Sequence, residues 1–580
     1  MKTEEQLQNK RHSLAHLLAT AVLEIYGDDA KLAFGPAIDN GFYYDIEFPT
    51  ATKITENDLV KIESKMKEIL PTWKGFERKE VNANDAKSHF MGNQYKNELI
   101  DEISAKGEPI TFYTSEKFTD LCRGGHAESM KEIDPSSFKL SHVAGAYWRG
   151  DEKNAMLTRI YGLAFNTKQE LEEYLAMLLE AKKRDHKKLG PELGLFMFHE
   201  TAPGMPYWLP KGSIILHELI NFWREEHRNR HYQEILSPLL NKKELYVTSG
   251  HFEHFWQDMF TVKTEDGEEY GLKAMNCPNA MVVFGSTLRS YKDLPLRLSD
   301  TDTLHRNERS GVLNGLLRVR EFKQDDAHIF IPESMIGQEY QEIFEIVERF
   351  YSIFNISYSF RLGTRPPSFL GDEETWGKAE ETLKNILKSS GKPFTIAEGD
   401  GAFYGPKIDI VMKDALGREW QMGTIQLDFQ QPRRFKLEYV AEDGKRKTPI
   451  VIHRVIYGSL ERFIGILIEH FAGAFPLWLA PVQAVILPIS EKQNEYAENV
   501  FKELSELMPN LRLELDKANE SIGKKIRAHS KQKIPYLVVV GDKEKEAGTV
   551  SVRGRGDADL GAMTISDLAA KLKQEIRNKK

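Results

Sequence analysis

The sequence predicts a multidomain α+β protein with a central antiparallel sheet and a separate α/β module at its C-terminal end. Three observations carry that prediction. The chain has 580 residues, more than a single hydrophobic core supports. A capped amphipathic stretch over residues 167–190 divides an N-terminal part from the remainder. Beyond "PLWLAPVQAVILPIS" the strand and helix periods alternate, as in a compact α/β unit of about 100 residues.

Composition narrows the class. Apolar residues make up 41% and charged residues 29%, the balance of an ordinary globular protein. No apolar run is long enough to span a bilayer, and the polar start "MKTEEQLQNK" lacks a signal-peptide core. Two cysteines, Cys122 and Cys277, lie far apart and suggest no disulfide framework. A reducing, cytoplasmic setting is expected, with no membrane partner. A net charge of −8 excludes a uniformly basic surface. It leaves room for local basic patches such as "AKKRDHKK", "GKKIRAHSKQK" and "SVRGRG".

Residues 1–166 form the first expected domain. "RHSLAHLLA" places His12 and His16 on one face of a helix. Taken alone, such a pair reads as capped or solvent-facing histidines. Ser13 occupies the position that the HExxH metalloprotease motif needs for glutamate. "TDLCRGGH" repeats the spacing with Cys122 and His126.

Residues 167–190 are expected to be one linker helix. Thr167 and Glu170 make a capping-box pattern. Leu171, Tyr174, Leu175, Leu178 and Leu179 make an apolar stripe, and Gly190 and Pro191 stop it. Residues 191–481 mix helices with short strands. There "TDTLHRNERSGVLNGLLRVREFKQDDAHIF" concentrates arginine, aromatic and acidic residues. Arginine forks hold phosphates and carboxylates hold metals or amines. Residues 482–580 read strand "VQAVILPI", helix "EKQNEYAENVFKELSEL", strand "LRLEL", helix "SIGKKIRAHSKQ", strand "PYLVVVGD", strand "TVSVRGR" and helix "ISDLAAKLKQEIRNKK".

These blocks resemble class II aminoacyl-tRNA synthetases, specifically the bacterial-type threonyl-tRNA synthetases. The helix "IILHELINFWREEHRNR" leading to "HYQEILSPLL" with Pro238 is similar to motif 1, the dimer-interface element. "HRNERSG" with Arg306 and Glu308 is similar to motif 2, and "GSLERF" with Arg462 to motif 3. The resemblance implies a class II antiparallel-sheet catalytic domain (191–481), an N-terminal α+β editing domain (1–166) and a C-terminal α/β anticodon-binding domain (482–580). It also implies a homodimer.

The implied reaction is ATP-dependent activation of L-threonine, transfer to tRNA(Thr) and hydrolysis of mischarged seryl-tRNA(Thr). The resemblance implies one Zn2+ per chain on Cys277, His328 and His453, each of which alone reads as packed core. Gln324, Asp326, Tyr404 and Gln421 would line the amino-acid pocket. Arg306, Glu308, Arg318, Phe322 and Arg462 would hold ATP, which Mg2+ accompanies. A zinc that coordinates a hydroxyl rejects valine but not serine, which explains a second, hydrolytic pocket. His12, His16, Asp120, Cys122 and His126 would line it; whether it also holds a metal is left open. Asn519, Glu544 and Arg553 would read anticodon bases.

Four positions depart from the usual pattern: Ala280, Arg309, Asn314 and Glu321. The small domain that many bacterial relatives carry ahead of the editing domain is expected to be absent, because "HSLAH" begins at residue 12. Two other readings compete with this one. A seryl or prolyl synthetase would not need the cysteine–histidine trio. A non-catalytic RNA-binding regulator would not need the motif 2 and motif 3 arginines.

Overall fold

The computed structural model describes residues 2–580. The chain divides into two compact units, Met1–Glu180 and Ala181–Lys580. Among the described residues no helix is long and apolar enough to cross a membrane.

The first unit begins with α1 (Lys2–Tyr26). Leu14, Leu17, Leu18, Ala21 and Val22 recur at helical spacing on it and are all buried. They pack against β1 (Gly41–Glu47) and α2 (Glu56–Ile69). Then come β2 (Glu77–Val81), α3 (Gln94–Ala105), β3 (Ile110–Ser115) and β4 (Phe118–Leu121). The three strands make one antiparallel sheet in chain order. The hairpin β5 (Phe138–Tyr147) and β6 (Met156–Ala164) joins β1 through β6 in a second sheet.

The linker departs from expectation. Helix α4 spans Lys168–Arg184 and stops there. Thr167 Oγ1 accepts the Glu170 N–H at 3.2 Å, but the Glu170 carboxylate takes the N–H of Asn166, one residue before the expected partner. Asp185 is non-helical, and its carboxylate accepts the Lys187 N–H at 2.8 Å, capping α5 (His186–Glu192). A short acidic side chain that bonds forward to the backbone starts a new helix instead of continuing the old one. Gly190 and Pro191 lie inside α5 rather than ending a single helix. Of the apolar stripe only Leu171 is buried, while Leu178 and Leu179 are 39% and 64% exposed.

In the second unit, α6 (Pro210–Arg228) precedes β7 (Gln233–Glu234). The motif 1 strand is thus two residues long rather than ten, with Pro238 beyond its end. Next are α7 (Cys277–Gly285), β8 (Leu296–Asp300), β9 (Glu321–Ile331), α8 (Ile336–Ser352), β10 (Ser357–Gly363), β11 (Phe394–Ala397), β12 (Lys407–Lys413), β13 (Glu419–Asp428), β14 (Ile450–Ser459) and α9 (Leu460–His470). The sheet order is β7-β8-β9-β14-β13-β12-β10-β11. It is antiparallel from β8 to β10 and parallel only at its two edges. β14, "IVIHRVIYGS", is buried at nearly every position. A strand covered on both faces reads as an apolar run, without alternation. The helices α6, α8 and α9 share its core.

The C-terminal part forms a five-stranded sheet of β15 (Ala484–Pro488), β16 (Leu513–Leu515), β17 (Tyr536–Val540), β18 (Val550–Gly554) and β19 (Asp559–Met563), in the order β16-β15-β17-β18-β19. Its helices are α10 (Asn494–Leu507), α11 (Ile522–Lys531), α12 (Asp542–Ala547) and α13 (Ile565–Arg577). Every element expected there is present; α12 and β19 are additions.

Candidate active sites

Sheet register builds the first site. His328 on β9 stands directly opposite His453 on β14, which stands opposite Gln426 on β13. Cys277, at the N-terminus of α7, brings its thiol to the same place. One ligand atom from each of Cys277, His328 and His453 lies within 4.8 Å of the others, and all three residues are buried. His453 gives Nε2 to Asp428 Oδ2 at 2.9 Å, which leaves Nδ1 for a ligand. A carboxylate behind a histidine is the usual support of a metal-binding imidazole. His328 Nδ1 is buried without a hydrogen-bond partner. Burial holds His328 well below the usual imidazole range, so its ring is neutral. One thiol and two imidazoles fit a zinc ion and leave further positions open.

The trio lines a cavity of about 370 Å³ together with Asp326, Gln324, Tyr404, Gln426 and Arg306. A β-bulge between Gln324 and Asp326 re-aims this strand. Asp325 turns away, and its carboxylate accepts the N–H groups of Ile456 and Gly458 at 3.0 Å. Asp326 faces the cavity, where burial pushes its carboxyl up to about 6. Tyr404 donates to Gln426. Gln421 lines neither this cavity nor the next; its Oε1 accepts from Arg361 at 2.6 Å. Gln426, two residues from the end of the same strand, lines the cavity in its place. It was missed because a lone glutamine in "TIQLDF" carries no signal without strand register.

A second cavity, of about 560 Å³, adjoins the first and shares Arg306, Gln324, Thr424 and Val455 with it. It is lined by Glu308, Arg318, Phe322, Trp420 and Arg462 among others. Arg306 lies 5.0 Å above the Phe322 ring, and Arg318 donates to Glu308 at 2.8 Å. Ser459 caps α9 by accepting the Arg462 N–H at 3.2 Å, which puts Arg462 in the first turn. Two of the departures have partners here: Glu321 pairs with His305 at 3.0 Å, and Asn314 accepts from Lys187 at 3.2 Å. Ala280 is packed core. Nothing in the structure explains Arg309.

The first unit holds the other expected cluster: His12, His16, Asp120 and Cys122 line a cavity of about 300 Å³, and His126 lies against Cys122 without lining it. His12 and His16 project from α1 with ring centroids 5.0 Å apart. Cys122 Sγ lies 3.4 Å from His12 Nε2 and 3.3 Å from His126 Nε2. Asp120 sits 3.2 Å from His16 Nδ1. Ser13, behind the pair, accepts the Ala127 N–H at 3.0 Å and so ties α1 to the "CRGGH" loop. Donor atoms of His12, His16, Cys122 and His126 also lie within 4.8 Å of one another.

Charges organise this pocket. Burial opposes the thiolate of Cys122, but hydrogen bonds from His12, His126 and His16 outweigh it and bring the thiol down to about 3. Burial likewise opposes a charged His16, yet its bonds to Asp120 and Cys122 raise it to about 9. Burial pushes His126 down, which leaves its ring neutral and able to accept a proton. Two partners went unseen in the sequence. Lys96 and Tyr44 both bond Asp120, Tyr44 at 2.5 Å, and Lys96 is fully buried. The signal was available: Lys96 falls on the buried face of α3, with Tyr95 and Ile100.

Asn519 and Arg553 are exposed in the C-terminal part. Glu544 instead caps its own helix, accepting the Gly541 N–H at 2.9 Å. No hydrogen bond or ion pair links the three among the described residues.

A mainly antiparallel sheet carrying motif arginines beside a cysteine–histidine trio defines a class II aminoacyl-tRNA synthetase. Family models match in agreement: the tRNA synthetase class II core domain (G, H, P, S and T) over residues 260–471, the anticodon binding domain over 483–575, and the threonyl and alanyl tRNA synthetase second additional domain over 110–161. The threonine–tRNA ligase of Caldanaerobacter subterraneus subsp. tengcongensis is 51% identical over 98% of this chain and 87% of its own length. That of Thermotoga neapolitana is 49% identical over 98% and 88%. The RNA binding domain of threonyl-tRNA synthetase from Cryptosporidium parvum Iowa II, a crystal structure, superposes with a TM-score of 0.65 at 41% identity, covering 67% of this chain and 98% of that one. The chain belongs to the threonine–tRNA ligase family.

Proposed function

We propose that the protein activates L-threonine with ATP, transfers it to tRNA(Thr), and hydrolyses seryl-tRNA(Thr) in a second pocket. One observation carries this reading: Arg306 is shared by the trio cavity and the arginine cavity. An amino-acid carboxylate in the first and an α-phosphate in the second would meet at that guanidinium. Charge that develops there during attack is stabilised by a half-buried donor already in place. Arg318 and Arg462 hold the remaining phosphates, with Mg2+, and Phe322 stacks on the base.

Cys277, His328 and His453 would hold Zn2+, which supplies Lewis-acid coordination of the threonine amine and hydroxyl. Asp326 and Gln324 orient the substrate beside it. Serine differs by one methyl, worth about 1–3 kcal/mol, so the pocket of His12, His16, Asp120, Cys122 and His126 completes selection. His126, the neutral ring, positions or deprotonates water there. Asn519, Glu544 and Arg553 contact the anticodon, with Glu544 released from its cap. A cytoplasmic homodimer is supported by the free cysteines and by Leu236, Leu239 and Leu240, which follow β7 as an exposed apolar run. The proposed domains are 1–166, 167–190, 191–481 and 482–580.

ATP–pyrophosphate exchange with threonine, serine and valine tests this reading. Threonine and, more weakly, serine should drive exchange, and valine should not. Absence of exchange with threonine would end it.

A further inference from the structure

His186, the first residue of α5, belongs to none of the sites above, yet it is only 1% exposed. Its Nδ1–H donates to Glu469 Oε1 at 2.7 Å, and its backbone N–H points to the same oxygen at 3.3 Å. Its Nε2 accepts the backbone N–H of Leu316 at 3.0 Å. Both ring nitrogens are therefore engaged, and the ring is the neutral Nδ1–H tautomer. Asp185, His186 and Glu469 lie close enough to suggest a metal site, but His186 has no lone pair left for one.

The two partners matter because of where they sit. Glu469 is in the last turn of α9, whose first turn carries Arg462. Leu316 is in the turn Gly315–Leu317, just before Arg318. Gly315 has φ +51°, and a Cβ there would lie 2.2 Å from His186 Nε2. Gly465 of α9 leaves room on the other side, where a Cβ would meet Leu316 at 3.1 Å. Lys187 adds its bond to Asn314.

The contacts continue around the cavity. Glu469 also receives Arg418, whose Nε donates to Asp414 Oδ2 at 2.7 Å. The same oxygen accepts Trp420 Nε1–H at 2.9 Å, and the Trp420 ring lies 5.7 Å from the Arg462 guanidinium. One chain of bonds from His186 thus reaches both walls of the arginine cavity.

We propose that His186 is a positioning residue for the nucleotide: its Nε2, by holding the Leu316 N–H, sets the turn that presents Leu317 and Arg318 to the arginine cavity. The proposal rests on reading that cavity as the ATP site. It predicts an effect on ATP that threonine does not share.

The test uses full-length variants, with ATP affinity from calorimetry and Michaelis constants from exchange. His186→Ala should weaken ATP about tenfold, the effect of one lost buried hydrogen bond, and leave KM for threonine within about twofold. His186→Gln keeps an acceptor for Leu316 and should restore ATP affinity. His186→Asn keeps a donor for Glu469 only and should behave like alanine. Unchanged ATP affinity in His186→Ala, or rescue by asparagine but not glutamine, would overturn the proposal. If His186→Ala does not fold, Gly315→Ala forces the same contact apart from the loop side, and unchanged ATP affinity there overturns it equally. Wild-type protein that binds ATP but ignores threonine would sink the parent reading and leave the His186 comparison intact.

Discussion

Lys96 places its ammonium directly on the carboxylate of Asp120, and both side chains are about 1% exposed. A buried lysine is stable only beside such a partner. Asp120 also holds His16, so Lys96 supports a pocket residue that it does not touch. Lys96→Met leaves a buried carboxylate short of its countercharge, a loss of about 3–5 kcal/mol for such pairs. The melting temperature of the protein should fall. Seryl-tRNA should then accumulate while threonylation on ice-stable protein stays near normal. Clearance of seryl-tRNA at the original rate would show that Asp120 needs no ammonium.

Cys122 and His16 should keep opposite charges across the neutral range. The thiol falls from 9.0 to about 3 and the imidazole rises from 6.5 to about 9. The thiolate contribution to stability is complete above 9.0 and is lost as pH falls toward about 3. The imidazolium contribution is complete below 6.5 and is lost as pH rises through about 9. Together they hold the pair between those limits. Alkylation of Cys122 by iodoacetamide should therefore vary little between about pH 5 and about pH 8. Peptide mapping should show Cys277, which is buried, unmodified. A tenfold rise in rate per pH unit would reveal an ordinary thiol.

The cysteine–histidine trio makes a stoichiometric prediction. Purified protein should carry one tightly held zinc per chain, and Cys277→Ala should remove it. Asp428→Asn weakens the support behind His453 and should lower zinc affinity about 10- to 100-fold. Metal analysis by mass spectrometry checks both. Zinc retained in Cys277→Ala would place it in the His12–His16–Cys122–His126 pocket instead.

Legibility followed range of interaction. The C-terminal module was readable because each element carries its own period; only "DKEKEA" and the largely exposed "DLGAM" lacked one. The linker break at Asp185 was hidden because it falls in a polar run beyond the apolar stripe, before the Gly190–Pro191 stop signal, and the cap that starts α5 there is a single side-chain bond. The trio was not readable from spacing at all: Cys277, His328 and His453 meet only through the register of β9 and β14. Family motifs reached it. They did not reach Lys96, Tyr44 or Gln426, whose roles follow from tertiary neighbours.

Gln426 and Gln421 separate motif matching from geometry most sharply. Both lie on β13, but Gln426 opposes His453 and accepts from Tyr404. Gln421 pairs with Val411 and accepts from Arg361 outside both cavities. Gln426→Leu should leave the Tyr404 hydroxyl unpaired in the trio cavity, a cost of about 1–3 kcal/mol. In exchange kinetics that is a loss of roughly 5- to 150-fold in kcat/KM for threonine. Gln421→Leu removes a bond from a half-buried strand face and should cost stability more than it costs threonine selection. Exchange measured with both variants decides the matter: equal losses in kcat/KM for threonine would mean that Gln421 reaches the substrate through a rearrangement of β13.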